Sequence, residues 1–336
     1  MSILLTGGAG FIGSHVAVEL IASGHEVVIV DDLSNSHIGV IDRIEQVSGT
    51  RPAFYKLDVR DQARLARVFD QHQPTAVIHL AGLKAVAESV TKPLLYWDVN
   101  LNTTIVLLKV MAAHQCQQII FSSSATVYGT PSELPLTETS RAGVDLANPY
   151  GRTKFANEQL LTDTAAATPI SVSLLRYFNP VGAHPSGLLG ESPYGTPNNL
   201  MPYVAQTAAG LRDKVMVYGN DYDTPDGTGV RDYIHIVDLA RGHVAALVSQ
   251  DFGVHIYNLG TGHGVSVLQL IAAYERACDF AIPYQIVGRR PGDVASCYCS
   301  PAKAAAELGW RTSKSIAQAC VDSWRFQKEN PAGYGD

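Results

Sequence analysis

The sequence predicts an α/β protein with an N-terminal doubly wound parallel sheet and a smaller C-terminal α/β lid. Three observations predict it. Residues 3–31 read strand, glycine turn, helix, strand, acid. The alternation of short apolar runs with helical segments then continues to about residue 178, as in strands joined by crossover helices. From about 180 to 230 it gives way to turn-rich sequence, with Gly, Pro, Asn and Asp in clusters such as Thr224-Pro-Asp-Gly-Thr-Gly. The expected division is a Rossmann-type dinucleotide-binding domain over 1–178 and a substrate-binding domain mainly over 179–336. Part of the chain around 235–260 is expected to return to the first.

Ile3-Leu4-Leu5 is a short apolar strand, followed by Thr6-Gly7-Gly8-Ala9-Gly10-Phe11-Ile12-Gly13 and a helix from Ser14 to Ser23. Glu26 to Val30 forms the second strand and ends in Asp31. Gly8-x-Gly10-x-x-Gly13 fits the dinucleotide fingerprint, and Gly7-x-x-Gly10-x-x-Gly13 fits a variant of it. The glycines allow a tight turn and close backbone approach to a pyrophosphate at the helix N-terminus. Asp31 lies about 20 residues on, where a carboxylate accepts from the adenine-ribose hydroxyls. It would repel a 2′-phosphate, so NAD is expected rather than NADP.

Ala53 to Leu57 reads as a strand ending at Asp58-Val59, an acid that could meet the adenine. Asp61 to Gln71 is helical. Thr75 to Leu80 is a strand leading into Ala81-Gly82-Leu83-Lys84. Pro93 to His114 is a long helix, and Gln118 to Phe121 a strand running into Ser122-Ser123-Ser124. These acids, glycines and serines all fall just past the carboxyl ends of parallel strands, where open α/β sheets bind ligands. Later, Ile170 to Leu175 is a strand, Asp238 to Val248, Val267 to Ala277 and Pro301 to Leu308 are helices, and Ser315 to Glu329 is amphipathic.

Asn148-Pro149-Tyr150-Gly151-Arg152-Thr153-Lys154 opens another helix, with Asn148 as cap and Pro149 in the first turn. Positions four apart share a helix face, so Tyr150 and Lys154 point the same way. A free tyrosine titrates near 10, too high for a base at neutral pH. A nearby ammonium favours the phenolate, and such a pair can act as acid and base at an alcohol or ketone. On its own the pair also fits a solvated helix face. Beside it, Ser124 is either a turn cap or the hydroxyl partner of the reacting oxygen. Arg231, Arg289 and Arg290 are solvated surface residues or, with Asn179 and Asn199, a clamp for a diphosphate.

The 336 residues carry a net charge of −6 and 46% hydrophobic residues, which gives no electrostatic reason to expect nucleic acid or an anionic membrane. Five cysteines without a CxxC pair make a disulfide framework or a zinc site unexpected and a reducing compartment the default. Cys297-Tyr-Cys299 lacks a nearby histidine cluster, so no metal is expected. The N-terminus shows no basic leader, and no apolar run approaches the roughly 18 residues that span a bilayer. A cytoplasmic protein is expected.

Together these residues resemble the extended short-chain dehydrogenase/reductase family and, within it, the UDP-glucose 4-epimerases. The resemblance covers nearly the whole chain. Thr6 to Gly13 and Pro149 to Lys154 mark the superfamily. Several longer strings are specific to the epimerase branch, among them His79-Leu-Ala-Gly-Leu-Lys-Ala-Val86, Phe121 to Gly129, Leu175 to Gly187, Pro197-Asn-Asn-Leu-Met-Pro202, Asp226 to His235 and Arg289-Arg-Pro-Gly-Asp293. The resemblance implies an isomerase of galactose metabolism that interconverts UDP-galactose and UDP-glucose through a 4-keto sugar, with tightly bound NAD regenerated at each turnover. Tyr150 would be the base, Ser124 the partner of the reacting oxygen, and Lys154 the group that lowers the tyrosine pKa.

For NAD the resemblance implies Gly7, Gly10, Phe11, Ile12 and Gly13, then Asp31, Asp32, Leu33, Ser34, Asn35 and Ser36. Asp58, Val59, Leu80, Ala81, Gly82, Lys84, Ser122, Tyr150, Lys154, Tyr177 and Phe178 follow. For the UDP-hexose it implies Lys84, Ser124, Tyr150, Asn179, Asn199, Leu200, Tyr218, Arg231, Tyr233, Arg290, Asp293 and Cys297. It also implies a homodimer, with Pro93–His114 and Pro149–Thr164 as paired helices. Leu101, Ile105, Leu108 and Met111 form an apolar stripe for that contact, unless the stripe packs on the sheet.

Two positions depart from the family pattern. Val99 stands where relatives often carry an asparagine near the cofactor, with Asn100 and Asn102 on either side. Cys297 stands where relatives place either tyrosine or a small residue near the sugar, which leaves room for N-acetylated UDP-hexosamines. A 4,6-dehydratase would need an acid beside the serine to expel the C6 hydroxyl, and Ala125 and Thr126 occupy those positions. A carbonyl reductase would need exchangeable cofactor. A non-catalytic NAD sensor would leave the serine, tyrosine and lysine unexplained.

Overall fold

Consecutive residues of the first strand face opposite sides. Ile3 and Leu5 enter one apolar cluster, with Val16, Leu20 and Ile44. Leu4 enters another, with Leu65, Leu107 and Met111. Side chains alternate across a strand, so a strand apolar at every position is covered on both faces, as parallel sheets between helices are. Val27 and Ile29 join the first cluster, Val28 and Val30 the second.

The computed structural model describes residues 1–247, 251–290 and 292–335. Val248, which the sequence reading placed at a helix end, Pro291, in the Arg289–Asp293 string, and Asp336, at the end of the second domain, lie outside the described residues. The first part runs β1 (Ser2–Thr6), α1 (Phe11–Ala22), β2 (Glu26–Asp31), α2 (Gly39–Ser48), β3 (Ala53–Lys56), α3 (Gln62–His72) and β4 (Ala76–His79). It continues α4 (Val86–Thr91), α5 (Pro93–Ala113), β5 (Gln118–Ser124), α6 (Pro149–Ala167) and β6 (Ser171–Tyr177). The second part holds β7 (Asn179–Val181), α7 (Leu200–Ala208), β8 (Val215–Tyr218), β9 (Val230–His235), α8 (Ile236–Ala246) and β10 (Gly253–Leu259). It ends with β11 (Gly264–Ser266), α9 (Val267–Cys278), β12 (Tyr284–Val287), β13 (Ser296–Cys297), α10 (Ala302–Glu307) and α11 (Ile316–Glu329).

Among the described residues, seven strands form one sheet in the order β10-β6-β5-β4-β1-β2-β3, and all its pairings are parallel. The order reverses between β1 and β4, the switch point at whose carboxyl edge open sheets bind ligands. Helices α1, α2 and α8 cover one face and α3, α5 and α6 the other. β9 forms the middle of a smaller sheet, with β11, β13 and β7 beside it. A separate core of Met201, Val204, Val217, Tyr233, Ile271 and Tyr274 lies under that part. No helix among the described residues is long and apolar enough to cross a membrane.

Several sequence expectations are corrected here. α1 begins at Phe11 rather than Ser14, because Gly10 takes extended φ/ψ and acts as its N-cap without a side-chain bond. β5 runs on through the three serines to Ser124. α8 starts at Ile236, capped by His235, whose Nδ1 accepts from the Val237 N–H at 3.1 Å. The stretch 180–230, read as turn-rich, contains α7 and β8. Leu108 and Met111 do not form an exposed stripe with Leu101 and Ile105, because they pack beneath the sheet. Exposed apolar residues of this region are Val86 and Val90 on α4 and Leu94, Leu95 and Trp97 at the start of α5.

Candidate active site

Gly7 has φ +71°, and its N–H donates to the Val30 carbonyl at 2.8 Å. A Cβ there would sit 2.8 Å from the Ala81 backbone nitrogen, and a Cβ at Gly13 would run into the Gly7 carbonyl. These two glycines let the β1 turn lie against the loop after β4 while α1 starts directly behind it. α1 has neither a side-chain cap nor an acid in its first turn, so its leading N–H groups and positive end face an anion unopposed. Asp31 is buried and accepts from the Ala9 N–H at 3.0 Å, the Leu33 N–H at 2.9 Å and the Ser36 hydroxyl at 2.7 Å. Burial pushes its pKa up, against those three donors. A carboxylate has about four lone-pair sites, so acceptor capacity remains for a ribose hydroxyl. In the same loop Asp32 accepts from the backbone and hydroxyl of Ser34. Asp58 is turned to Arg60, whose guanidinium holds its pKa down.

The loop after β4 is fixed by residues the sequence reading did not assign. His79 is buried, with Nδ1 2.7 Å from the Thr6 hydroxyl and Nε2 3.1 Å from that of Thr104. Burial, and then the Lys154 charge, lower its pKa to about 3, so it stays neutral. Asn100 accepts from the Leu83 N–H at 2.8 Å and donates to the Leu83 carbonyl and to Thr153. The asparagine at 100, not the one at 102, thus reaches inward next to Val99; Asn102 bonds to Asp98 on the surface. The signal that could have found Asn100 is a carboxamide in the interior of a long helix, with threonines at 103 and 104 on its next turn.

Tyr150 and Lys154 stand on the first turns of α6, capped by Asn148 through the Gly151 N–H at 2.8 Å. The Lys154 ammonium donates to the Ser122 carbonyl at 2.7 Å and lies 5.9 Å from the Tyr150 ring centroid. Burial lowers its pKa to about 8, partly offset by Glu158. The Ser124 hydroxyl lies beside the Tyr150 phenol, and Ser124 Oγ takes the Thr126 hydroxyl at 3.0 Å. Contrary to expectation, the tyrosine pKa is raised rather than lowered. Desolvation of the phenol outweighs the Ser124 hydroxyl, and the Lys154 ammonium donates to the Ser122 carbonyl on the same strand as Ser124. Ser122 is buried at the same strand end, and the Tyr177 hydroxyl lies 3.0 Å from His243 Nε2. Phe178 packs beyond it, against Val127, Tyr128 and Cys299.

The second wall is built on β9. Strand registry sets Asn179 beside Tyr233 and Cys297 beside Arg231. Arg231 and Tyr233 are two residues apart and share one face. Arg231 donates to the Val230 and Val294 carbonyls at 2.8 and 2.9 Å, and its guanidinium lies 3.8 Å from Asp293. Arg290 pairs with Asp293 through two 3.1 Å bonds and lies over the Tyr218 ring. Arg289 does not join them: it binds Asp221 and stacks on Tyr222. Asn199 caps α7, with Leu200 next to it, and its amide donates to Glu191 at 2.9 Å. Lys84 reaches the same carboxylate oxygen at 3.3 Å. Burial pushes the Tyr233 phenol to about 12 and the Cys297 thiol to about 11. Asp232, on the opposite face of β9, is fully buried and takes the N–H groups of Thr261 and Gly262. A lone carboxylate inside a strand was the signal for it.

Residues 3–260 match the NAD dependent epimerase/dehydratase family. The chain belongs to that family. Members of similar length include the UDP-glucose 4-epimerase of Haemophilus influenzae, 52% identical over 339 residues and matched over 100% of both chains. The crystal structure of UDP-glucose 4-epimerase from Bifidobacterium longum in complex with NAD+ and UDP is 55% identical with a TM-score of 0.97, over 99% of this chain and 100% of that one. That of the Stenotrophomonas maltophila enzyme, with NAD and formylated UDP-arabinopyranose, is 49% identical with a TM-score of 0.95, over 99% of both chains. This family member is therefore an NAD-dependent epimerase, an isomerase. The cradle fits its cofactor: the glycine turn admits no Cβ where backbone must approach, the α1 terminus is uncapped, and Asp31 keeps acceptor capacity.

Proposed function

We propose that the chain interconverts UDP-galactose and UDP-glucose by oxidation and re-reduction at the sugar C4. The observation that carries this is the hydroxyl pair of Ser124 and Tyr150 at the carboxyl edge of the sheet, next to Lys154, with no acid beside the serine. Ala125 and Thr126 cannot protonate a leaving C6 hydroxide, which separates this site from a dehydratase. Full-length likeness to UDP-glucose 4-epimerases supports the same reading.

Bound NAD supplies the hydride acceptor at C4, the hydride donor to the other face of the turned keto sugar, and a positive charge in the pocket. Gly7, Gly10, Gly13 and the α1 terminus hold its pyrophosphate, and Asp31 its adenine ribose. Tyr150, as phenolate, takes the C4 hydroxyl proton and later returns it. Ser124 donates to the C4 oxygen, which keeps the forming carbonyl oriented. Lys154 holds a fixed positive charge behind the tyrosine. Arg231, Arg290, Asn179 and Asn199 grip the diphosphate, while Tyr218 and Tyr233 lie along the nucleotide. The hexose must be held loosely enough to turn. Residues 1–178 with the return near 235–260 carry the cofactor, and the remainder carries the UDP-sugar.

Cys297 is smaller than tyrosine and shares the strand registry of Arg231. UDP-GlcNAc and UDP-GalNAc are therefore substrates as well, and Cys297→Tyr depresses their turnover relative to UDP-glucose. Equal ratios in the two proteins would end that extension. The protein acts as a cytoplasmic homodimer, with exposed Leu94, Leu95 and Trp97 at the contact. Light scattering of wild type and of Leu94→Glu tests the dimer.

The first experiment is incubation with UDP-galactose and no added cofactor, followed by proton NMR of the anomeric signals. A mixture with UDP-glucose, at constant total hexose, is expected. A 4-keto-6-deoxy sugar, or no change even with NAD added, would overturn the reading.

A further inference from the structure

The segment that follows α11 crosses the fold rather than trailing from it. Asn330 is buried, donates to the Gly187 carbonyl at 2.8 Å, and takes the Arg43 guanidinium of α2 at 3.3 Å. Four residues on, the Tyr334 hydroxyl donates to the Gly190 carbonyl at 2.7 Å and accepts the Gly190 N–H at 2.9 Å. One hydroxyl thus satisfies both backbone groups of one residue. Gly333 has φ +74° and lies so close to Ser192 that a Cβ would collide with it.

Gly190 to Pro193 forms one wall of a narrow cleft of about 30 Å3. The opposite wall is Gly10, Phe11, Ser36 and Lys84, which are residues placed at the cofactor. Tyr334 lines the rim, its ring 5.7 Å from that of His37. On the cofactor side the Tyr194 hydroxyl reaches the Ser36 carbonyl at 3.2 Å, and Glu191 holds Lys84. A cofactor that ends each turnover unchanged has no need to leave, and here the strap over its cleft is fastened from both sides.

We infer that Tyr334 is a latch: it fixes the Gly190–Pro193 strap over the dinucleotide cleft and thereby slows release of NAD. It is a positioning residue, remote from the reacting atoms. The inference rests on the NAD reading above.

The test measures NAD appearing in the filtrate of purified holoenzyme after dilution, for wild type, Tyr334→Phe and Tyr334→Ala. Unfolding temperatures of the cofactor-stripped proteins are measured alongside. Tyr334→Phe keeps the ring and loses both backbone bonds, so NAD should leave about five- to tenfold faster. Tyr334→Ala should release it faster still, and Tyr194→Phe less so. Stripped Tyr334→Phe should melt within a few degrees of stripped wild type. Release within twofold of wild type in Tyr334→Phe overturns the latch, whether or not Tyr334→Ala folds. So does faster release matched by a collapse of the stripped protein, since that marks a merely structural tyrosine. A wild type that neither carries NAD nor takes it up would defeat the cofactor reading itself.

Discussion

Lys154 is buried, with its ammonium fixed on the Ser122 carbonyl at 2.7 Å. Arg290, proposed above to face the other end of the substrate, has more than half of its side chain in solvent and, among the described residues, pairs with Asp293 and the Tyr218 ring. The contrast extends to their neighbours. Around Lys154, the side chains of Thr6, His79, Asn100 and Thr153 bond to one another or to backbone inside the fold, and that of Glu158 takes Arg176 and Ser123. Around Arg290, Tyr218 and Asn199 are exposed and meet few fixed partners. The difference follows from where the strands end. The reacting groups stand at the end of a parallel sheet packed on both faces, whereas of the residues proposed for the diphosphate Arg231 and Asn179 lie on the small sheet around β9 and Arg290 and Asn199 lie outside the strands. A rigid reacting end and an adaptable nucleotide end suit an enzyme that must align C4 closely yet let a sugar turn on its diphosphate tether.

The hardest test of that division is Tyr150→Phe. Loss of the acid/base hydroxyl should lower kcat about 10³-fold, with UDP binding, read by calorimetry, changed less than threefold. A large loss of UDP affinity would show that the reacting end also carries nucleotide binding.

Glu158 sharpens the rigid side. It takes Arg176 through bonds of 2.9 and 2.6 Å, both side chains buried, and it also receives the Ser123 hydroxyl. Removing one member strands the other charge in the interior, so Glu158→Ala should cost about 3–5 kcal/mol in denaturant unfolding. A cost below about 1 kcal/mol would mean that water reaches Arg176 and that this wall is looser than drawn. On the adaptable side, Arg231→Ala should raise KM about 10- to 100-fold through lost charge-assisted bonds, with kcat within about fivefold. Arg290→Ala should give a smaller rise, since its side chain is largely in water.

The sequence spoke most clearly where backbone geometry leaves few choices. The glycine turn before α1, the acid closing β2 and the capped start of α6 each require particular residue types, so those positions could be read directly. Legibility failed where a role depends on contacts distant in sequence. Asn100 matters through Leu83 and Thr153, Asp232 through Thr261 and Gly262, and Tyr334 through Gly190; a polar residue inside an element flags the first two without naming their partners, and nothing local flags Tyr334. Leu108 and Met111 show the same limit from the other side. An apolar stripe on a helix fits a sheet as well as a second subunit; Leu108 and Met111 pack under the sheet, whereas Leu101 and Ile105 stay outside that core.

The smallest effect tests the buried ammonium directly. The Lys154 pKa falls to about 8 in the folded protein, below the roughly 10.4 of an unfolded lysine. Between these values the unfolded chain binds more protons than the folded one, so stability should rise with pH across that window. Below about 8 both states are protonated, and the cost of burying the charge is fully present. The rise is at most about 1.4 kcal/mol per pH unit, and Lys154→Met should abolish it. Measured as the difference in unfolding free energy between wild type and variant at pH 7.5 and 9.5, it isolates Lys154 from the other titrating groups. A flat difference would mean that the ammonium is better solvated than its burial implies. The reacting end would then share the adaptability of the nucleotide end.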